Sequence, residues 1–471
     1  MMGIHHMNTE TSQTESPRPQ RMGVDLLNGP IDSTLRIFAL PLAFSFVVNM
    51  LYSWIDTYFV SKLGSAAIAA IGVSEQLGFM IFNFGSGFAI GTGIIVARRI
   101  GEGNRDEASY TATQGIMTML VFSTVLAIIL GMLLPLTLTA LGLNKDPEVY
   151  AFTEIYLYAL LFGVPGNFVT FQINAIIRSS GNSVYPMSIL LLTTIINAIL
   201  APLLIFGWGF IPAFGMLGAG IATAASQIIG ALISLSMIIT GKAGLSLNLK
   251  GFSFDFPLLY KIIKQGIWSS LQMFSVSISR LALFTFASNF DPKVTLAAYT
   301  LGLKVDLFAF MSVFAMGIAL ETATGQNLGA RQIKRIVLFY RSSVKQLVAL
   351  LGILAILAYV FGEYFARIYT DDPAIIRETV EYLRIASFGY IFFAIGSVTL
   401  RVISGAGAAA RSMMIVFTAL VIIQIPLAFI LSHYTPLHES GIWIGVVLSY
   451  IALTVIGYQQ YRSRKWLDVR I

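Results

Sequence analysis

The chain alternates long apolar runs with short polar breaks, and this pattern points to lipid as its solvent. Crossing a bilayer as a helix takes about 20 mostly apolar residues. Runs of that kind lie near 35–61, 67–96, 110–136, 150–176, 184–207, 215–240, 258–289, 294–324, 337–365, 378–402, 412–432 and 441–461. Twelve spanning helices are therefore predicted. Several runs are longer than a span needs, so those helices should tilt or project beyond the hydrocarbon. Residues 1–34 are polar and rich in Thr, Ser, Gln and Pro, which reads as a cytoplasmic tail without fixed structure. The apolar run that follows is too long for a signal-peptide core and has no small-residue cleavage site, so no cleavage is expected.

Composition sharpens this picture. Hydrophobic residues make up 56% of the 471 and charged residues 11%, whereas soluble domains carry roughly 25% charged residues. The absence of cysteine excludes disulfides, iron–sulfur clusters and thiolate zinc sites. Of the four histidines, His5 and His6 lie in the polar head, and His433 and His438 lie in one connection. None falls inside an apolar run, which argues against haem or an intramembrane metal-hydrolase centre.

The net charge of +7 would suit nucleic acid, but its distribution suits a membrane. With the N-terminus inside, 22 of the 30 Lys and Arg residues fall on one side and 6 on the other, and Arg280 and Lys304 fall within spans. Cytoplasmic connections carry the positive excess. Both termini are therefore placed in the cytoplasm, with the chain multi-pass in the plasma (inner) membrane and no nucleic-acid partner.

The two halves echo each other. Ala69-Ala70 and Arg98–Gly101 recur 228 residues on as Ala297-Ala298 and Gln326–Gly329. Arg178-Ser-Ser-Gly181 recurs as Arg401 followed by Ser404-Gly405, Pro202 as Pro426, and Gly218, Ile221 and Ser226 as Gly441, Ile444 and Ser449. An offset held at 223–228 residues implies two repeats of six spans. Six is even, so both repeats point the same way and are related by an axis along the membrane normal, with a cavity between them. The expected fold class is an all-α membrane protein of twelve transmembrane helices in two parallel six-helix lobes. The N-lobe covers 35–240, a cytoplasmic linker 241–257, the C-lobe 258–461 and a basic tail 462–471.

The segment from Pro41 through Leu51-Tyr52-Ser-Trp-Ile-Asp56 to Gly64 resembles the first helix of the multidrug and toxic compound extrusion (MATE) family. The segments Gly91–Gly103 and Gly325–Ala330 resemble that family's helix-end signatures. The resemblance covers roughly residues 33–462. It implies cation-coupled export of small amphipathic, often cationic, compounds by rocking of two lobes, with no cofactor, a proton as coupling ion (sodium the alternative) and a monomer in the bilayer. The similarity runs closest to the DinF-like branch, whose coupling site lies in the N-lobe. The resemblance then implies that Asp56 is the coupling aspartate, with Tyr52 one turn before it, Pro41 at the helix-1 bend, Asn197 from helix 5 and Thr223 from helix 6. One departure is Ala201, where many members carry a second aspartate. The C-lobe carboxylates of the NorM-like branch fall here on Val276 and Ser397.

The residues themselves add weight, because an ionisable group inside a span costs about 2.5–3.5 kcal/mol on insertion scales and needs a reason. Asp56 lies about 30 Å along its span, in the outer half, and Asn197 and Thr223 lie about 12–15 Å from the outer ends of theirs. The three can share a layer. A proton-exchanging carboxylate is the functional reading, and one that solvates a cavity mouth or caps a helix is the alternative. Asp306 has Arg280 at similar depth in the preceding span and Lys304 two residues away. A structural ion pair between Asp306 and Arg280 is expected, with substrate binding or a second proton site as the other readings. Glu75 is expected to line the cavity or outer vestibule, or else to replace the carboxylate missing at Ala201. Gln272 and Asn174 complete the candidate cavity set. Glu321 reads as a solvated helix end, and Gly87, Gly91 and Gly93 as points of close helix contact.

Two other functions compete. A flippase for anionic lipid-linked saccharides should line its cavity with several Arg and Lys, and only Arg280 and Lys304 are available. An enzyme would need a catalytic cluster at the interface. The acidic doublet Asp371-Asp372 before Pro373 reads instead as a turn and helix start.

Overall fold

The computed structural model describes residues 23–469 apart from 210, 242, 243, 248, 250 and 292. Residues 1–22 of the expected tail, with Arg18 and Arg21, and the basic residues Lys242, Lys250 and Arg470 lie outside the described residues. Among the described residues, twelve helices are long and apolar enough to cross a membrane: α1 (Ile31–Ser61), α2 (Ser65–Gly101), α3 (Arg105–Ala140), α4 (Pro147–Ser179), α5 (Val184–Phe206), α6 (Gly215–Ile239), α7 (Phe256–Ser288), α8 (Thr295–Gly329), α9 (Ile333–Arg367), α10 (Pro373–Gly405), α11 (Ala409–His433) and α12 (His438–Arg462). The chain is a multi-pass membrane protein.

Most of these helices outrun the apolar pattern by a few residues into polar sequence, and four of them begin at a side-chain cap. The side chains of Asn104, Asp146, Asp255 and Asp372 accept from backbone N–H groups of the first turns of α3, α4, α7 and α10, filling donors that have no partner within the helix. Pro147, Pro257 and Pro373 sit in those first turns, where a missing N–H costs nothing. One irregularity was not foreseen: α11 widens into a π-helical stretch at Thr418–Gln424, just before Pro426. There the Gln424 side chain accepts from Ser279 Oγ of α7 at 2.6 Å.

The two halves pack alike. In the N-lobe α4 touches α2, α3 and α6, and α5 pairs with α6; in the C-lobe α10 touches α8, α9 and α12, and α11 pairs with α12. The pseudo-two-fold is visible at single residues. A Cβ on Gly101 of α2 would fall 1.9 Å from the Gln326 carbonyl oxygen of α8, and one on Gly329 of α8 would fall 2.2 Å from the Arg98 carbonyl oxygen of α2. These four residues are the repeat partners read from the sequence, each meeting its mate's mate, as a two-fold contact requires. Glycine here is the condition for helix contact. The same holds at Gly87, where a Cβ would fall 2.2 Å from the Gly266 carbonyl oxygen of α7.

These close approaches lie in the halves of the helices toward the face that carries both chain ends. On that face Gln326 Nε2 donates to Ser179 O at 2.7 Å and Arg98 to Val469 O at 2.9 Å. Residues 23–30, expected to be loose tail, are instead a strap across both lobes. Val24 N–H donates to Gly181 O of the N-lobe, while Leu26 O accepts from Asn327 and Arg335 of the C-lobe. Leu26 itself is buried. Phe46 meets Phe314 near mid-helix. The hydrogen bonds that join the lobes directly or through residues 23–30 lie toward this face.

Helix α1 belongs to both lobes. Leu35, Phe38, Ala39 and Leu42 pack into the C-lobe core, and Asp32 accepts from Ser342 of α9. Val60, at the far end, packs with Ala201 and Ile205 of α5. Pro41 sits inside the stretch that packs on the C-lobe, between Ala39 and Leu42. It lacks the N–H that would bond the carbonyl four residues earlier, so the helix loses one backbone bond within its C-lobe-packed half.

Candidate functional site

Asp56 lies nearly three turns beyond mid-helix in α1 and is buried, with 4% of its surface exposed. Its Oδ2 accepts from the Tyr156 hydroxyl of α4 at 3.1 Å, and its Oδ1 has no hydrogen-bond partner. Across from it, Asn197 Nδ2 of α5 donates to Thr223 Oγ1 of α6 at 3.3 Å, leaving Asn197 Oδ1 unpartnered. The Tyr52 hydroxyl, one turn before Asp56, faces Thr223 and Ser226 without a hydrogen bond of good geometry to either. Tyr156 also faces Thr223. Four helices thus bring Asp56 and Tyr52 of α1, Tyr156 of α4, Asn197 of α5 and Thr223 of α6 together in one buried cluster.

A buried polar atom without a partner is costly. Three such atoms, Asp56 Oδ1, Asn197 Oδ1 and the Tyr52 hydroxyl, fall in one cluster here. Ala201, one turn past Asn197, is fully buried among apolar neighbours, so no second carboxylate reaches the layer from that position. Tyr156 is the member that sequence reasoning missed. A tyrosine in an apolar run reads as packing, although its repeat partner at the observed offset is Tyr382, another carboxylate donor.

The other candidates lie elsewhere. Glu75 of α2 is exposed and accepts from Ser53 Oγ of α1 at 2.7 Å, one turn from Asp56. It therefore borders the site from the solvent side. Asn174 is buried on α4 with its Oδ1 unpartnered, and Gln272 is half-buried on α7.

Two expectations are corrected. Asp306 and Arg280 form no ion pair: Asp306 is buried and accepts from Tyr382 at 2.5 Å and Tyr390 at 2.6 Å, while Arg280 is exposed and acts on it only through space. Equal depth on neighbouring helices did not make the side chains face each other. Lys304 points away, its Nζ 4.4 Å from the Tyr369 ring centroid. Glu321 is not solvated. It is buried, accepting from Arg401 at 3.0 Å and Ser404 at 2.7 Å, the pair that repeats the Arg178 segment.

Comparison with known proteins agrees with this layout. The MatE family model matches twice, over residues 41–203 and 269–430, so the two matches fall at the repeat spacing read from the sequence. The probable multidrug resistance protein YoeA of Bacillus subtilis is 27% identical over 440 residues, covering 92% of this chain and 94% of its own. A FAD transporter of Shewanella oneidensis is 25% identical, covering 87% and 90%. A solved structure described as the outward-facing conformation of a multidrug resistance MATE family transporter superposes with a TM-score of 0.86 at 24% identity, covering 95% of this chain and 99% of that one. A MATE in a bent conformation gives 0.87 at 24% identity, covering 94% and 97%.

Proposed function

The chain belongs to the MatE family of transporters, and on that footing we propose that it is a secondary antiporter. It exports small amphipathic cations in exchange for protons, with Asp56 as the coupling group. The observation that carries this reading is the buried Asp56 carboxylate, with one oxygen held by Tyr156 and the other free, on the helix shared by both lobes. Charging or neutralising this group changes how the outer half of α1 sits against α4, α5 and α6. The inner half of α1 is packed in the C-lobe core, so the change is felt across the lobe boundary, with Pro41 as the bend within that inner half.

A ligand shifts a conformational equilibrium only by its differential affinity for the two states. The protonated and ionised forms of Asp56 must therefore favour different lobe arrangements. The positive-inside bias supports cytoplasmic termini, and lobe contacts on the terminus-bearing face then support reading this arrangement as outward-open. It is the state in which Asp56 meets external protons and substrate leaves. The proton is preferred over sodium because Ala201 brings no second carboxylate to the layer. The protein acts as a monomer in the cytoplasmic membrane.

The test is uptake and efflux in proteoliposomes under pH and sodium gradients applied separately, with a lipophilic cation and FAD as the two substrates. A pH gradient alone should drive the cation. Movement driven by sodium at constant pH, or of FAD alone, would overturn the reading.

A further inference from the structure

We propose that Asp306 is a second protonation site, enclosed in an aromatic cage wholly within the C-lobe and loaded independently of Asp56. Both of its oxygens are spoken for, by the Tyr382 and Tyr390 hydroxyls of α10. The remaining polar groups that face it are Tyr299 on its own helix, Tyr450 on α12 and Arg280 on α7. No cation lies within the 4.0 Å of an ion pair among the described residues. The rest of the wall is Ala309, Phe310, Ala386, Phe393, Trp443 and Val446. Its rings touch one another, Tyr299 stacked on Trp443 at 4.9 Å and Phe393 tilted against Tyr450 at 5.0 Å between centroids.

A fully buried carboxylate without a counter-ion is among the least favourable groups a protein can hold charged. Something positive must join it when the cage is closed. The space between these walls is ≈ 10 Å³, about the room one water needs, so an organic cation does not fit in this state. A metal ion would need several more oxygens where the walls are phenyl and indole faces. A proton needs no room. On uptake one proton passes from water to a carboxylate oxygen. The new O–H donates to a tyrosine hydroxyl oxygen, whose own proton turns toward the space left for one water.

The cage is also built for this geometry. A Cβ on Gly302, one turn before Asp306, would fall 2.1 Å from Tyr382 Cδ1, so glycine is what lets Tyr382 lie against α8. Tyr382 is the repeat partner of Tyr156, the donor to Asp56. One tyrosine position thus serves a carboxylate in each lobe, although the acids sit on non-equivalent helices.

The test is infrared difference spectroscopy of the purified full-length protein as pH is varied, comparing Asp56→Asn with the double variant Asp56→Asn/Asp306→Asn. A titrating buried-carboxyl band should survive in the first and vanish in the second. Tyr382→Phe and Tyr390→Phe, which keep the cage's shape, should each shift that band's frequency, and they carry the test if the Asp306 variant fails to fold. Loss of the band in Asp56→Asn alone would overturn independence. A band unmoved by either tyrosine variant, or one that sodium at constant pH removes as acid reveals it, would overturn the site. None of these readouts depends on transport, so they stand apart from the role assigned to Asp56.

Discussion

Each lobe buries one carboxylate against a tyrosine at the same repeat position, and the two sites differ in which helix supplies the acid. Asp56 rides on α1, whose inner half packs in the opposite lobe, and it keeps one oxygen and two polar neighbours unsatisfied. Asp306 rides on α8, is held through both oxygens, and is walled in by its own lobe. The backbone two-fold therefore does not fix the chemistry. An unsatisfied acid on a helix shared between lobes can convert a charge change into a lobe movement, whereas a satisfied acid inside one lobe can only hold a charge or a proton. The two sites should fail differently when altered.

The largest contrast is in transport. Asp56→Asn should reduce gradient-driven efflux to the level of protein-free liposomes while leaving insertion intact, and Asp306→Asn should leave measurable efflux. Comparable loss in both would erase the distinction between a coupling site and a holding site. Next come the glycines. Gly101→Ala forces a Cβ against a backbone carbonyl of the other lobe, and overpacking of this kind typically costs about 1–3 kcal/mol, roughly a 5–150-fold shift in the lobe equilibrium. Spin-label distances across the terminus-bearing face should lengthen in Gly101→Ala and stay unchanged in Gly302→Ala, whose clash is internal to the C-lobe.

The tyrosines should rank in the same order. A hydrogen bond to a charged group is worth about 1.5–3 kcal/mol. Tyr156→Phe strips Asp56 of its single donor, whereas Tyr382→Phe leaves Tyr390 in place on Asp306. Efflux rates should fall by about tenfold or more in the first, by the same energy scale, and less in the second. The smallest effect belongs to Arg280→Gln. Breaking a buried ion pair costs about 3–5 kcal/mol, but an exposed side chain without a partner should change stability by less than about 0.5 kcal/mol. Thermal unfolding of the detergent-solubilised variant checks this. A large loss would restore the ion pair.

What was legible in the sequence follows from what lipid enforces. Twelve spans and their repeat could be read because each helix needs an unbroken apolar run. The ends were underestimated where capping residues such as Asp146 and Asp372 carry the helix into polar sequence, and also at uncapped ends such as that of α9 at Ile333. The N-lobe layer was legible because polar residues in spans are few and their depths can be counted. The partners of the buried acids were not. Tyrosine hides among apolar residues, so Tyr156, Tyr382 and Tyr390 gave no signal, and depth alone misassigned Arg280. Glu321 was misplaced for a related reason: nearness to a helix end suggested solvent, whereas Arg401 and Ser404 of the facing helix enclose it.

The most direct test of the coupling claim is to count protons released when a lipophilic cation is added to the purified protein in a lightly buffered solution. If substrate and proton exchange through Asp56, the wild type and Asp306→Asn should both release protons on binding, and Asp56→Asn should bind the cation without release. Release from Asp56→Asn equal to that of the wild type would place the exchanging group elsewhere and contradict the account.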